Sequence, residues 1–203
     1  MLIRQVRKEE LEQVAEIFAE VFNDSIHFYF SGKLPTQVIS LWLLLAQLAE
    51  PEALQVAEED QFIRGYVFSP SETSGLWRTA LSGSFLSHSV KTLIRSNLRL
   101  PLSTLRALLS NKMWFWRTNR QHGSPARILS MGVSTCVRGQ GYGRRLLKAG
   151  IEYLRHKKGC PVITLEVRPH NIPARRLYES LGFVKIGETR DAQGPWLIMQ
   201  LNS

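Results

Sequence analysis

The residues with the clearest chemical pattern are three glycines spaced two apart, Gly139, Gly141 and Gly143. The segment 129–133 before them alternates apolar with small residues, as a strand does, and the segment 144–157 after them has apolar residues at helical spacing. A strand that enters a helix through a glycine-rich turn directs backbone N–H groups and the positive end of the helix dipole at one point. The pattern therefore predicts an anion site, for which phosphate is the usual occupant.

The spacing of these glycines excludes two known phosphate-binding motifs. The sequence contains no G-x-x-x-x-G-K-[S/T] run, and the residue three after Gly141 is Arg144, so the turn is neither a P-loop nor a dinucleotide-binding turn. Its pattern is Arg138-x-x-Gly141-x-Gly143. This pattern resembles the acetyl-CoA-binding motif of the GCN5-related N-acetyltransferases, the GNAT superfamily.

A second segment strengthens the resemblance. The chain reads N-I-P-A-R-R-L-Y-E-S-L-G-F from Asn171 to Phe183, and this is similar to the second GNAT signature, N-x-x-A-x-x-x-Y-x-x-x-G-F. The resemblance covers 54–68 and 127–203 well and the N-terminal helices in pattern only. It implies one GNAT domain over 1–203 of the α/β (α+β) class. The expected architecture is a mixed, mostly antiparallel central sheet with flanking helices, whose fourth and fifth strands splay apart around the pantetheine arm.

The resemblance also implies which residues contact the cosubstrate acetyl-CoA. Backbone groups of β-strand residues would bond the acetyl and pantetheine groups, N–H groups of the turn would hold the pyrophosphate, and Asn171 would meet the pantetheine arm. Arg144, Arg145 and Lys148 suit a phosphate or ribose contact, and solvated helix charges are an equal alternative. The implied cofactor-binding set is Met131, Gly132, Val133, Arg138, Gly139, Gln140, Gly141, Tyr142, Gly143, Arg144, Asn171 and Tyr178.

Tyr178 is the candidate general acid. By resemblance, its hydroxyl protonates the departing thiolate of CoA, whereas the structural alternative is a packed aromatic residue on a helix. Cys136 is a less favoured nucleophile, because no paired His or Asp motif accompanies it and direct transfer to an amine does not need one.

The general base is the weakest part of the pattern. An alkylamine with a pKa of about 10.4 is protonated at neutral pH, which disfavours the reactive form by roughly 4–5 kcal/mol. Many GNAT proteins place a carboxylate on the fourth strand, but 127–135 contains none. Glu166 and His170 are the tentative bases, Glu59 and Asp60 are weaker candidates, and a water chain is a further alternative.

The composition fits one ordinary domain. The 203 residues are 44% hydrophobic and 21% charged, as in soluble globular proteins. The start of the chain lacks the apolar region of a signal peptide, and the longest apolar run, 38–48, is too short to span a membrane. Two cysteines give neither a disulfide framework nor metal-ligand spacing. These observations predict a cytoplasmic protein with reduced thiols and no metal.

The net charge of +9 is unevenly distributed. The segment 72–120 contains eight basic residues and one acidic residue. It lies within 69–125, which separates the predicted third and fourth strands and has two runs of helical spacing, at 90–98 and 102–116. We expect a basic helical insertion that either lids the cleft, binds an anionic partner or simply presents a solvated face. A membrane-surface or nucleic-acid face is a less favoured interpretation.

The remaining elements follow from periodicity. Strands are predicted at 3–6, 162–167, 183–187 and 196–201, and helices from Lys8, over 35–48 and over 171–180. A hairpin is predicted over 54–68 with a turn at 58–61, and Gly65 within it suggests a close backbone approach. The segment 23–32 is either a substrate-facing loop or aromatic packing.

Together these features predict an N-acetyltransferase that transfers acetyl from acetyl-CoA to a primary amine of a small molecule or peptide by direct attack in a ternary complex. The alternative is a GNAT-fold acyl-CoA sensor or scaffold without amine turnover. Transfer to a ribosomal or other nucleic-acid-associated protein is a third possibility that fits the basic charge. The sequence does not identify the amine, the preferred acyl chain or the oligomeric state.

Overall fold

A computed structural model describes residues 1–30, 34–96 and 125–203. The helices in this part of the chain are α1 (Leu11–Val21), α2 (Asn23–Phe30), α3 (Thr36–Ala49), α4 (Ser74–Ala80), α5 (Gly83–Ser96), α6 (Tyr142–Glu152) and α7 (Ile172–Glu179). The strands are β1 (Leu2–Gln5), β2 (Leu54–Glu59), β3 (Phe62–Phe68), β4 (Arg127–Ile128), β5 (Ser130–Val133), β6 (Val162–Val167), β7 (Val184–Asp191) and β8 (Gly194–Asn202). A π-helical turn, Tyr153–Lys157, extends α6.

The eight described strands form two four-stranded sheets that separate at Leu129. One sheet has the order β1-β2-β3-β5 and the other β4-β6-β8-β7. Strand β4 pairs with β6 in parallel, whereas β5 pairs with β3 antiparallel. The predicted fourth strand therefore leaves the fifth after two residues, which confirms the splayed, mostly antiparallel sheet with flanking helices.

A bulge at Leu129 and Ser130 produces this separation. The Leu129 N–H donates to the Phe68 carbonyl at 2.9 Å, although Ser130 is the residue opposite Phe68 in the ladder. Leu129, which lies between β4 and β5, and Ser130 therefore both face Phe68 of β3, and such a bulge bends the chain and changes which face its side chains occupy. Accordingly Ile128 lies near Gly150 of α6, while Ser130 is hydrogen-bonded to Tyr66, which contacts α1 through Phe18.

Glycines allow the helices and strands to pack closely around the core. A Cβ atom on Gly65 would lie 2.8 Å from the Gly132 carbonyl and 2.9 Å from Leu146 of α6. The predicted close approach at Gly65 is thus confirmed. The core between the sheets and helices is apolar, with fully buried Val14, Leu43 and Leu147.

The turn of the first hairpin is shorter than predicted. Strand β2 continues to Glu59, so Asp60 and Gln61 alone connect the strands. Both have positive φ, 52° and 67°, the pattern of a two-residue type I′ turn. The prediction of a turn over 58–61 was wrong because polar residues at a strand end, here Glu58 and Glu59, still pair in the ladder.

The structure of two other segments can be compared with the prediction. Residues 23–30 form α2 rather than a loop, and Phe28 packs edge-on against Tyr29 with ring centroids 4.9 Å apart. Within 69–125, α5 contains the first part of the helical run predicted at 90–98, and α4 is a helix that was not predicted. The rest of that run and the predicted helix over 102–116 lie outside the described residues. The single-domain organisation and the role of the insertion remain predictions. No helix in the described ranges combines the length and hydropathy needed to cross a membrane.

Candidate active site

A cavity of about 480 Å³ opens between β5 and β6, where the two sheets separate. Its walls come from the strands on either side of the gap, the end of α1, the start of α2, the loop before α7, and the β7–β8 hairpin. The lining residues include Val21, Phe22, Asp24, Ser25, Arg127, Met131, Thr164, Glu166, Arg168, His170, Asn171, Tyr178, Gln193, Trp196 and Ile198. The predicted acid and both tentative bases therefore line one cavity.

The backbone of β5 supplies polar groups along its outer edge. The Ser134 N–H donates to the Arg64 carbonyl at 2.9 Å, and hydrogen-bonded pairs alternate along an antiparallel ladder. Gly132 therefore bonds to Tyr66 of β3, while the N–H and C=O groups of Met131 and Val133 point away from β3, toward the gap. These are the two residues whose backbone groups the resemblance assigns to the acetyl and pantetheine amides.

The glycine turn has the predicted strand–turn–helix geometry. Gly139 and Gly141 have φ of 79° and 86°, and Gly141 is the N-cap of α6. A Cβ atom on either would meet nothing within 4 Å, so the left-handed backbone, rather than crowding, requires glycine here. The turn presents N–H groups at the positive end of α6. It lies outside the lining of the cavity.

Side chains around the turn mostly serve to hold it. The Tyr142 hydroxyl donates to the Glu59 carboxylate in the first hairpin, and the Arg138 Nε donates to the Val133 carbonyl at 3.4 Å. The Arg144 Nη1 donates to the Ser180 Oγ at 2.7 Å, which links α6 to α7. Arg145 and Lys148 line a different groove, beside β1 and β2.

Tyr178 is buried in the wall of the cavity, with 8% of its surface exposed. Its ring packs against Phe183 with centroids 6.0 Å apart. Burial raises the pKa of Tyr178 to about 12, so the hydroxyl is protonated at neutral pH. A neutral phenol in this position can donate a proton to a group in the cavity.

Asn171 is the N-cap of α7. Its Oδ1 accepts a hydrogen bond from the Ala174 N–H at 3.2 Å, which satisfies one of the open donors at the helix start. Pro173 follows in the first turn, and Gly182, with a φ of 92°, lies just beyond the end of the helix. Asn171 therefore has a structural role in addition to its predicted contact with pantetheine.

Glu166 lies on β6 beside a buried arginine that the sequence analysis missed. Arg127 pairs with Thr164 in the parallel ladder, and Glu166 is two residues further along the same face. Only 7% of Arg127 is exposed. Burial lowers the pKa of Arg127, and the negative charge of Glu166 acts in the opposite direction. His170 lies at the exposed rim of the cavity.

The weaker base candidates do not line the cavity. Glu59 accepts the Tyr142 hydrogen bond, which lowers the pKa of its carboxyl, and its Oε1 lies 3.7 Å from the N-terminal ammonium. Asp60 is in the adjoining turn. Cys136 is exposed, with its Sγ 3.3 Å from the Ser134 Oγ. The described residues contain no cluster of three or more potential metal ligands.

A polar network at the other end of the cavity was also not predicted. The Arg168 guanidinium stacks 3.9 Å from the Trp196 ring centroid, and its Nη2 donates to Asp191 at 2.9 Å and to Gln193 at 2.8 Å. The Ser25 Oγ donates to the same Gln193 oxygen at 2.9 Å. The network thus joins the residue that follows β6, the β7–β8 hairpin and α2. These parts of the chain are distant in sequence and share no motif.

Charge and burial act oppositely on Asp191 in this network. Burial raises the pKa of its carboxyl, but hydrogen bonds from Trp196, Arg168 and Tyr29 and the charge of Arg168 lower it more. The pKa of Asp191 therefore lies below its usual value. The carboxylate is ionised over the neutral range and holds Arg168 against Trp196.

Comparisons with known proteins agree with the two signatures. Residues 107–183 match the Acetyltransferase (GNAT) family. The chain is 42% identical over 65 residues to mycothiol acetyltransferase of Thermomonospora curvata, which covers 32% of this chain and 22% of that protein. It is 38% identical over 61 residues to [ribosomal protein bS18]-alanine N-acetyltransferase of Haemophilus ducreyi, which covers 30% and 41% respectively. The chain thus spans about a fifth and two fifths of the lengths of these relatives.

The fold comparison extends over the whole chain. The structure of yncA from Salmonella typhimurium with its cofactor acetyl-CoA aligns with a TM-score of 0.59 at 20% identity, covering 100% of this chain and 93% of that one. The fold of the chain is therefore that of a solved acetyltransferase structure. Both signatures lie within residues 107–183, the part of the chain that matches the Acetyltransferase (GNAT) family.

Proposed function

We propose that this protein is an acetyl-CoA-dependent N-acetyltransferase that acetylates a primary amine by direct attack in a ternary complex. The observation that carries the proposal is Tyr178. Tyr178 lines the cavity between β5 and β6, and burial keeps its hydroxyl protonated at neutral pH. The outward backbone groups of Met131 and Val133 lie along the same gap.

The proposed cosubstrate site follows β5 into α6. The N–H groups from Arg138 to Gly143 hold the pyrophosphate, since the turn presents donors at the helix N-terminus. Met131 and Val133 align the acetyl carbonyl and the pantetheine amides, and Asn171 contacts the pantetheine arm. Arg144 is fixed by Ser180 at the edge of this site.

The proposed reaction forms one bond and breaks one. The amine nitrogen attacks the acetyl carbonyl carbon, the C–N bond forms, and the C–S bond breaks as the intermediate collapses. Tyr178 transfers its proton to the departing thiolate sulfur. A base accepts the proton that the attacking nitrogen loses, and solvent returns a proton to Tyr178 after product release.

Glu166 and His170 are the proposed bases, because both line the cavity. Glu166 is half-buried beside Arg127, whereas His170 is exposed at the rim. The variants Glu166→Gln and His170→Gln separate the two. We expect the variant that removes the base to lose the acidic limb of the pH profile of kcat/KM, while the other retains it. Retention of that limb in both variants would favour a water chain.

The acceptor is proposed to be a small-molecule or peptide amine. Among the related proteins, one is named for the alanine of ribosomal protein bS18. A panel should therefore include peptides with N-terminal alanine beside amino acids, amino sugars and polyamines. Release of free CoA thiol, followed with each amine, measures turnover.

Thermal unfolding with and without acetyl-CoA tests the cosubstrate first. We expect acetyl-CoA to raise the midpoint of unfolding and at least one amine to give turnover. Absence of a thermal shift would contradict the cosubstrate site. A shift without turnover across the panel would instead support the acyl-CoA sensor, which the lack of a carboxylate in 127–135 favours.

A further inference from the structure

Helix α5 presents two different faces. Phe85 is buried, with 9% of its surface exposed, and anchors the helix next to α3. Ser89, one turn later, is half-buried and donates from its Oγ to the Phe85 carbonyl at 2.7 Å. The face that carries Phe85 and Ser89 therefore belongs to the folded domain.

The neighbouring face of α5 is apolar and exposed. Leu86, Val90 and Ile94 are spaced four residues apart and therefore form one stripe along the helix. Their exposed fractions are 46%, 54% and 73%, and Leu81, in the turn before α5, is 74% exposed. Aliphatic side chains clustered at the surface in this way are typical of an interaction site.

The charged residues in this part of the sequence are basic. Lys91 is exposed and follows Val90 directly, so its long side chain flanks the stripe. The sequence contains no Asp or Glu from Thr73 to Ile151. Five of the fourteen residues of α5 are serine or threonine, so polar and apolar residues alternate around the helix.

We propose that α5 is a docking helix for an anionic lipid surface. In this arrangement Leu86, Val90 and Ile94 enter the headgroup region, and Lys91 extends to the lipid phosphates. A helix of this composition lies in the interface rather than spanning the bilayer. The binding is independent of the proposed acetyl transfer.

The chemistry of the surface favours lipid over the other occupants. A nucleic acid would use the positive charge but leave the aliphatic stripe exposed to water. A second copy of this chain would bring like charges together. An anionic bilayer satisfies both the apolar stripe and the positive charge.

Vesicle flotation with the full chain tests the proposal. The probe is vesicles of phosphatidylcholine alone or with phosphatidylglycerol, at about 0.05 M and about 0.5 M salt, which bracket weak and strong screening. We expect the protein to float with phosphatidylglycerol vesicles at low salt, and the bound fraction to fall at least about fivefold at high salt or on neutral vesicles.

Two variants and a matched control separate the contributions. Replacing the stripe in Leu86→Ser/Val90→Ser/Ile94→Ser should lower the bound fraction at least about fivefold, and Lys91→Gln about twofold. The control Phe62→Ser/Val184→Ser removes two apolar side chains that are 60% and 56% exposed elsewhere, and it should bind as the unchanged protein does. Circular dichroism verifies that each variant is folded.

Three outcomes would overturn the proposal. The first is absence of flotation with anionic vesicles at low salt, and the second is equal flotation of the stripe variant and the unchanged protein. The third is a dimer in sedimentation experiments that the stripe variant abolishes, because a second copy would then cover α5.

Discussion

The two ends of the candidate active site are built in different ways. The proposed cosubstrate end is one continuous stretch, Met131–Gly143, and it offers mainly backbone groups. The other end, where we propose that the acceptor binds, is lined by side chains from elements that are far apart in sequence, including Asp24, Glu166, Trp196 and Arg127. One end therefore depends on backbone conformation, and the other on which side chains the fold brings together.

This difference explains what each end can recognise. Backbone N–H groups and a helix dipole bind phosphate with little dependence on side-chain type, so the motif that sets them is short and local. An acceptor site must distinguish amines by shape and charge, so it requires side chains from several elements. Tyr178 lies in the wall of the cavity, and its proposed role is in the chemistry. Substitutions at each place should therefore affect different measured quantities.

The largest effect is expected for Tyr178→Phe. Removal of the proton donor should lower kcat about 10²–10³-fold and leave the affinity for acetyl-CoA nearly unchanged. Stopped assays at saturating substrate measure kcat, and titration measures the affinity. Tyr153→Phe is the control, because its buried hydroxyl donates to Glu50 outside the cavity. Full kcat in Tyr178→Phe would exclude the acid role.

The raised pKa of Tyr178 gives a pH test of the same role. Its hydroxyl loses its proton around pH 12, about two pH units above an unperturbed tyrosine. The acid form is therefore retained as the pH rises from 8 to about 10.5, and kcat should not fall over that range. A decline with an apparent pKa near 10 would contradict the assignment, provided that the protein remains folded by circular dichroism.

The next effect, on the cosubstrate end alone, is expected for Gly141→Ala. A Cβ atom in the left-handed region costs roughly 1–2 kcal/mol, so the turn should relax and the Kd for CoA should rise about tenfold. The control is Gly83→Ala, since Gly83 has ordinary φ and open space around it. Calorimetric titration measures both. An unchanged Kd in Gly141→Ala would show that the turn does not hold the pyrophosphate.

A smaller effect, on the acceptor end, is expected for Arg168→Met. Without the guanidinium, Trp196 and Gln193 lose their anchor, so the KM for the amine should rise several-fold while kcat and the CoA affinity change little. The control is Arg190→Met, because Arg190 is exposed on the β7–β8 hairpin that carries Trp196 and Gln193. If kcat fell and KM were constant, Arg168 would act in the chemistry and the division between the two ends would fail.

The ion pair between Arg168 and Asp191 predicts that the stability depends on pH. The pKa of Asp191 is lowered in the folded state. The ionised carboxylate therefore adds to the free energy of unfolding at pH values above the pKa of Asp in the unfolded chain, which is about 4. This contribution is lost as the pH falls through the lower pKa of the folded protein. Arg168→Met should therefore be destabilised more at pH 7 than at pH 3. Denaturant unfolding at both pH values measures the difference.

The smallest effect is expected at Asn171. Loss of the N-cap in Asn171→Ala should lower the free energy of unfolding by about 1 kcal/mol, whereas Asn171→Asp keeps a capping oxygen and should retain most of that stability. Comparing the CoA affinities of the two variants separates capping from the proposed pantetheine contact. If both variants unfold as the unchanged protein does, the cap contributes nothing measurable.

Local patterns in the sequence predicted much of the fold. The strand Val162–Val167 was predicted with its observed bounds, and the glycine turn, α6 and α7 have the expected order. These elements depend on periodicity, on positive φ at glycine and on helix capping, which all act within a few residues. The hairpin turn at Asp60 and Gln61 was misjudged, because ladder pairing rather than polarity decides where a strand ends.

The candidate site shows the same division. The sequence by itself determined the glycine turn, the tyrosine on its helix and hence the resemblance to the GNAT superfamily, because backbone conformation and signature spacing are encoded locally. Only the tertiary structure decided that Arg127 is buried beside Glu166 and that Arg168 lies on Trp196. Those neighbours meet through strand register and hairpin packing, and no short-range pattern records such contacts. Likewise, the helical spacing of α5 was visible in the chain, but which of its apolar residues remain exposed depends on how α5 packs beside α3.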